Sequence, residues 1–172
     1  IQFYTQQDSR DGFPDDSLSP SCAFYNSSPI PRRGQMNYET IIVSKTNGVD
    51  RVTLNRPAKM NTINPKMCDE LQHYFSALYT DHGTRVVILN GAGKSFCAGY
   101  DIKDAKGVSA GPVSGLRFQR QVSEVYLKMR RCPQPIICLG HGAATGGGFA
   151  FLLASDVRII GTDTRMNVAM AK

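Results

Sequence analysis

Regular patterns of apolar and polar positions begin at Tyr38. Ile41, Ile42 and Val43, followed by Val49, Val52 and Leu54, flank Asn47-Gly48. Short apolar runs around Asn-Gly predict a β-hairpin, because a two-residue turn of the favoured hand needs positive φ at both central positions. Past Arg56-Pro57, Asn64 can cap a helix and Pro65 can start it, with Met67, Leu71, Tyr74, Phe75 and Leu78 at helical spacing and Gly83 beyond its end. Asp69 and Glu70 are expected to suit the positive end of that helix. Val86 to Asn90 reads as a buried strand, and Gly91-Ala92-Gly93 as the loop leaving it. A second helix is predicted over 115–131, with Leu116, Val122, Val125, Tyr126 and Met129 on one side; Pro133 and Pro135 end it. Ile136 to Leu139 predicts a strand, 146–154 a short apolar helix, and Val157 to Ile160 a further strand. Alternating strands and helices imply an α/β fold with strands covered on both faces.

Composition narrows this picture. Residues 1–35 carry Gln, Asp, Ser, Pro and Arg with few branched apolar side chains, too little to offset ordering entropy, so a disordered segment is expected there and one domain over 36–172. The chain starts at Ile1 and stops at Lys172 with no breaker finishing an element, and both ends read as cuts. The formal charge of +6 is carried without an aromatic-interleaved basic stripe, the only doublets being Arg32-Arg33 and Arg130-Arg131. This argues for a solvated surface with a weak pull on anionic ligands and against nucleic acid. Five cysteines, odd in number and never spaced C-x-x-C, indicate neither a disulfide framework nor a zinc site and suit a reducing compartment. Phe149 to Ala154 is the longest apolar run, far short of the ~20 residues that cross a bilayer. No membrane span is predicted, and Asp8, Asp11, Asp15 and Asp16 argue against a typical acidic-poor organellar presequence.

Two glycine-rich loops each follow a buried strand, where α/β folds place ligands. The first, Gly91-Ala92-Gly93-Lys94-Ser95, ends like a phosphate loop, but the motif requires glycine where Ile88 stands. The second, Gly140 to Gly148, has no G-x-G-x-x-G register, so a dinucleotide site fails on spacing. Four segments taken together resemble the crotonase superfamily, which includes enoyl-CoA hydratases and isomerases. They are Val52 to Pro57 with Asn61, Gly91 to Ile102, Pro135 to Gly142, and Gly146-Gly147-Gly148 leading to Ser155-Asp156. Their order and separation carry the resemblance over Tyr38 to Lys172.

The resemblance implies a crotonase-like spiral of β-β-α units, incomplete at the C-terminus, that binds an acyl-CoA. A thioester reacting through an enolate or oxyanion needs two preorganised backbone N–H donors. By resemblance these map to Ala98 and Gly147, and the CoA lies along Ala58, Lys59 and Met60, along Gly99, Tyr100, Asp101 and Ile102, and at Gly146. Lys59 would face a CoA phosphate as a point charge, and Asp101 would fix its loop through backbone N–H groups. No cofactor or metal is implied beyond coenzyme A as part of the substrate. The full-length parent would be a homotrimer or hexamer, and its location intracellular, with mitochondrial, peroxisomal and cytosolic all open and the resemblance slightly favouring the first.

The pattern departs from a hydratase at both usual glutamates: the first position is Ala150 and the second, by a gap-free count from Asp156, is Met170. Neither can move a proton. Asp104, Glu124, Asp156 and Asp163 remain as acidic candidates, Glu124 first, while His141 reads as a packing or loop-bonding residue. Two functions stay open: an acyl-CoA lyase or isomerase with its acid/base group elsewhere, and a non-catalytic acyl-CoA-binding or scaffolding pseudoenzyme. The resemblance also implies C-terminal helices beyond Lys172, so apolar surface around Phe149, Phe151, Leu152 and Leu153 is expected to be uncovered.

Overall fold

The computed structural model describes residues 37–101 and 111–168. The chain divides after Met36, and only the second unit is treated below. The segment 1–35 therefore lies outside the described residues, as do Ile102, Asp104 and Met170.

Strands β1 (Ile41–Thr46) and β2 (Val49–Leu54) form the antiparallel hairpin, paired from Ile41–Leu54 to Thr46–Val49. Asn47 and Gly48 sit at φ 52° and 80°, the positive values that Asn-Gly was expected to supply. β2 then pairs in parallel with β3 (Val86–Gly91), β3 with β4 (Ile136–Gly140), and β4 with β6 (Val157–Ile160). β1 and β6 are the edges of this five-stranded sheet. Between β4 and β6 the chain forms β5 (Ala143–Thr145), which pairs in parallel with β7 (Arg165–Asn167). The three helices are α1 (Pro65–Leu78), α2 (Pro112–Arg131) and α3 (Gly147–Ala154).

A second, minor line of pairing links successive turns of the chain. Ile63 bridges Tyr100, Cys97 bridges Ala144, and β5 pairs with β7, all parallel. Each turn thus contributes a sheet strand, a short second strand paired to the next turn, and then a helix. This is the β-β-α spiral. The second strands are one to three residues long, too short for a period-two pattern, so β5 and β7 have no sequence signature.

Local signals explain the helix starts. The Asn64 side chain accepts the Met67 N–H at 3.0 Å, and Pro65 follows at the first helical position, where its missing N–H costs nothing. Glu70 differs from expectation. Buried at 2% exposure, its carboxylate accepts the backbone N–H groups of Glu39, Thr40 and Ile41 and the Thr40 hydroxyl, at 2.6 to 3.2 Å. It secures the start of β1 against α1 instead of neutralising a helix end. Helix α2 begins at Pro112, three positions earlier than predicted, and Leu116 is 54% exposed. Val122, Val125 and Met129 form the buried stripe, and Leu116 stands about 120° round the helix from Val122 at 100° per residue. Phe118 lies within the core sector instead, packing edge-on against Tyr100 at 5.8 Å between ring centres.

Phe75, Phe96, Phe151, Leu54, Met67 and Leu89 are fully buried between sheet and helices. Each such side chain contributes about 2 kcal/mol of apolar burial. The expected uncovered patch is smaller than predicted on α3: Phe151 and Leu152 are each 1% exposed, Phe149 is half-buried, and only Leu153 is open. Val157, Ile159, Met166 and Val168 are exposed beyond it. No described helix is long and apolar enough to cross a membrane.

Candidate active site

The two glycine loops meet at the ends of β3 and β4. The Phe96 N–H donates to His141 O at 2.8 Å, the Cys97 N–H to Ala143 O at 2.9 Å, and the Thr145 N–H to Cys97 O at 3.0 Å. The Thr145 hydroxyl adds a bond to Ala98 O at 3.0 Å, and His141 Nε2 lies 3.1 Å from Gly93 O, the loop-bonding role expected of it. Glycine is required where the loops touch. A Cβ at Gly148 would overlap the Cys97 carbonyl, and Gly99, at φ 95°, would put one 2.9 Å from Thr145 O.

On the other side, the turn Pro57–Lys59 and the residues after it run beside the first loop. The Ala98 N–H donates to Met60 O at 3.0 Å, the Ile63 N–H to Gly99 O at 2.8 Å, and the Asp101 N–H to Ile63 O at 2.9 Å. Asn61, fully buried and at φ 54°, joins the pieces. Its side chain accepts the Arg56 N–H and donates to Ala92 O and Ser95 O, each at 2.8 Å. The Asp101 carboxylate was expected to bond backbone N–H groups; the partners seen on it are side chains, the Arg56 guanidinium at 2.9 Å and the Thr62 hydroxyl at 3.2 Å. Ala58, Lys59 and Met60 are exposed on this turn, beside Gly99, Tyr100 and Asp101, so the positions expected to line a CoA site are contiguous. Ile102 lies outside the described residues.

Peptide geometry decides which N–H groups are free. The Ala98 N–H is taken by Met60 O and so cannot serve as the first donor. In a trans peptide the C=O and the following N–H point in opposite directions. Ala98 O faces Thr145, so the Gly99 N–H points away from the second loop. Gly99 O faces Ile63, so the Tyr100 N–H points back towards it. There a Cβ on Gly99 would stand 3.6 Å from Gly147 N. The Gly146 carbonyl accepts the Ala150 N–H at 3.1 Å, which turns the Gly147 N–H out of the start of α3. Among the described residues neither the Tyr100 nor the Gly147 N–H has an acceptor. The motif order pointed to the residue before Gly99, whose N–H is engaged; the N–H left without an acceptor among the described residues is that of the residue after.

The surroundings contain few groups that can move a proton. Ala150 lies in the first turn of α3, so its position carries a methyl. Burial pushes the Cys97 thiol up to about 12, which keeps it protonated and not nucleophilic. Burial also raises both the Tyr100 and the Tyr126 hydroxyl, and Tyr126 donates to Gly147 O at 2.9 Å. Its position on the core side of α2 is legible from helical spacing, but its bond to a residue 21 positions on has no local signal. Glu124 is half-buried on α2, with no hydrogen bond or ion pair to the glycine loops among the described residues. Asp163 belongs to the turn after β6.

Asp156 is structural. Its carboxylate is held below the ordinary range chiefly by the Ile136 N–H at 2.8 Å, helped by Arg130 at 2.8 Å. A depressed folded-state pKa stabilises fully above the unfolded value of about 3.9 and is lost as pH falls through the lower folded value. The stability difference between wild type and Asp156→Asn is therefore expected to close as pH falls below about 4 in urea titrations. A difference independent of pH would contradict this role.

A model of the enoyl-CoA hydratase/isomerase family matches residues 44–172. "Probable enoyl-CoA hydratase echA12" of Mycobacterium leprae is 39% identical over 117 residues, covering 64% of this chain and 40% of that protein. The 1,2-epoxyphenylacetyl-CoA isomerase of Escherichia coli is 31% identical over 136 residues, covering 78% of this chain and 52% of that one. Among solved structures, Pseudomonas aeruginosa AtuE superposes with a TM-score of 0.72 at 36% identity, covering 74% of this chain and 50% of that one. The chain thus spans about half the length of the relatives it matches. Spiral, loops and family match agree, and the chain belongs to the enoyl-CoA hydratase/isomerase family of the crotonase superfamily.

Proposed function

We propose that the protein binds an acyl-CoA thioester and polarises its carbonyl between the N–H groups of Tyr100 and Gly147. The observation that carries this reading is the pair of acceptor-free N–H groups on facing loops, beside an Ala98 N–H that is already engaged. Two such donors stabilise the oxyanion or enolate of a thioester without reorganising. Gly147 opens α3, so the positive end of the helix adds to the attraction. The exposed Lys59 stands on the turn proposed to receive CoA, where its ammonium would meet a phosphate. Coenzyme A enters as part of the substrate, and the whole protein is proposed to work as a homotrimer or hexamer.

Ala150 favours a second reading, a thioester-binding protein that does not hydrate. A carbonyl held by two N–H groups still needs a base or acid for turnover, and Ala150 supplies neither. The two readings share the oxyanion site and differ only in proton transfer.

Titration of crotonyl-CoA labelled with 13C at the thioester carbonyl into the 172-residue chain, alongside free CoA, tests the common part. The thioester is expected to bind more tightly than CoA and its carbonyl resonance to move downfield. Equal affinities with an unmoved resonance would overturn the proposal. Formation of 3-hydroxybutyryl-CoA in the same tube would select the enzyme over the binding protein.

A further inference from the structure

We infer that Tyr126 is a positioning residue for the thioester site, holding Gly147 in register through the hydroxyl bond from α2 to the Gly147 carbonyl. The inference rests on the proposed oxyanion role of Gly147 and adds the group that keeps it in place.

Gly146, Gly147 and Gly148 are three consecutive residues without a Cβ. Such a run has wide backbone freedom, whereas a donor must stay within a fraction of an ångström of the developing charge to be useful. Beyond the ladder of α3 itself, three hydrogen bonds oppose that freedom among the described residues. The Gly146 N–H donates to Asn167 O at 2.8 Å, and Gly146 O accepts the Ala150 N–H at 3.1 Å. The third, Tyr126 to Gly147 O at 2.9 Å, is the side-chain contribution and comes from another helix.

Packing makes the Tyr126 anchor stiff. Its ring meets Phe151 edge-on at 5.2 Å between centres, tying α2 to the body of α3. A Cβ built on Gly147 would stand 3.1 Å from the Tyr126 hydroxyl oxygen and 2.7 Å from Tyr100 Cε1. The hydroxyl therefore sits directly over Gly147, with the Tyr100 ring alongside. Interaction with the Tyr100 hydroxyl links Tyr126 to the residue carrying the other donor. Burial keeps the Tyr126 hydroxyl neutral and proton-bearing.

The test is Tyr126→Phe, which keeps the ring and removes only the hydroxyl. Amide exchange of the unliganded protein is expected to accelerate about tenfold at Ala150 and Phe151, the first amides bonded in α3, by the loss of one hydrogen bond, with Val87 and Leu89 unchanged. With labelled crotonyl-CoA, the preference for thioester over free CoA is expected to fall by about tenfold and the carbonyl shift to shrink, while affinity for free CoA holds. Unchanged exchange at Ala150 and Phe151, or acceleration spread evenly through β3, would overturn the inference, the latter by reducing Tyr126 to a general packing role. A wild-type protein that leaves the resonance unmoved refutes the oxyanion reading itself, and with it the functional sense of the anchor. The exchange measurement tells these cases apart because it needs no ligand.

Discussion

Gly147→Val is expected to abolish carbonyl polarisation while leaving the domain folded. A Cβ at that position would fall 2.7 Å from Tyr100 Cε1, 2.8 Å from Ile63 Cδ1 and 3.1 Å from the Tyr126 hydroxyl oxygen. All three are ends of side chains, so the structure can yield there without breaking the sheet. What yields is the site: the Tyr100 ring is driven from α3, and the Tyr126 hydroxyl is pushed off Gly147. Loss of one oxyanion donor typically costs about a hundredfold or more in rate. Any thioester turnover in the variant should fall by at least that factor, and the 13C resonance of bound crotonyl-CoA should return towards its free position. Free CoA should lose less affinity than the thioester, since Ala58 to Met60, among the proposed CoA positions, lie on a different turn. Retained polarisation in a folded variant would remove Gly147 from the site.

The second large effect concerns stability. Glu70→Ala is expected to destabilise the domain by about 3–5 kcal/mol, because three backbone N–H groups and a hydroxyl lose a charged acceptor in a buried place. Domains of this kind are stable by about 5–15 kcal/mol in total, so the variant would sit near the edge of folding. The damage should begin where β1 leaves α1. Urea denaturation should show the midpoint fall, with amide exchange at Thr40 and Ile41 rising first. A loss under about 1 kcal/mol would mean that water replaces the carboxylate there at little cost.

Much of the fold was readable from local pattern. Asn47-Gly48 announces the hairpin, Asn64-Pro65 the start of α1, and the apolar runs at Val86 and Ile136 the central parallel strands, because these signals depend on residues adjacent in sequence. The combination of loop motifs also reached the family. Three things were not readable. Leu116 fits a loose helical stripe yet faces outward, since the stripe is fixed by what α2 packs against. Glu70 looks like a first-turn acid, yet it serves a strand about thirty residues earlier in the chain. The strands β5 and β7 are too short to leave a pattern.

Residue chemistry by itself determined that glycines stand where two loops must touch and that Ala150 brings no carboxylate. Tertiary structure alone decided which N–H groups are free. Ala98 and Tyr100 are both small steps from Gly99, and no property of either side chain distinguishes them as donors. The register against Met60 separates them: it engages the Ala98 N–H and leaves the Tyr100 N–H without an acceptor among the described residues. A backbone donor has the same chemistry in every residue, so its availability is set by the pairing of distant segments, and that is information the linear order of residues does not carry.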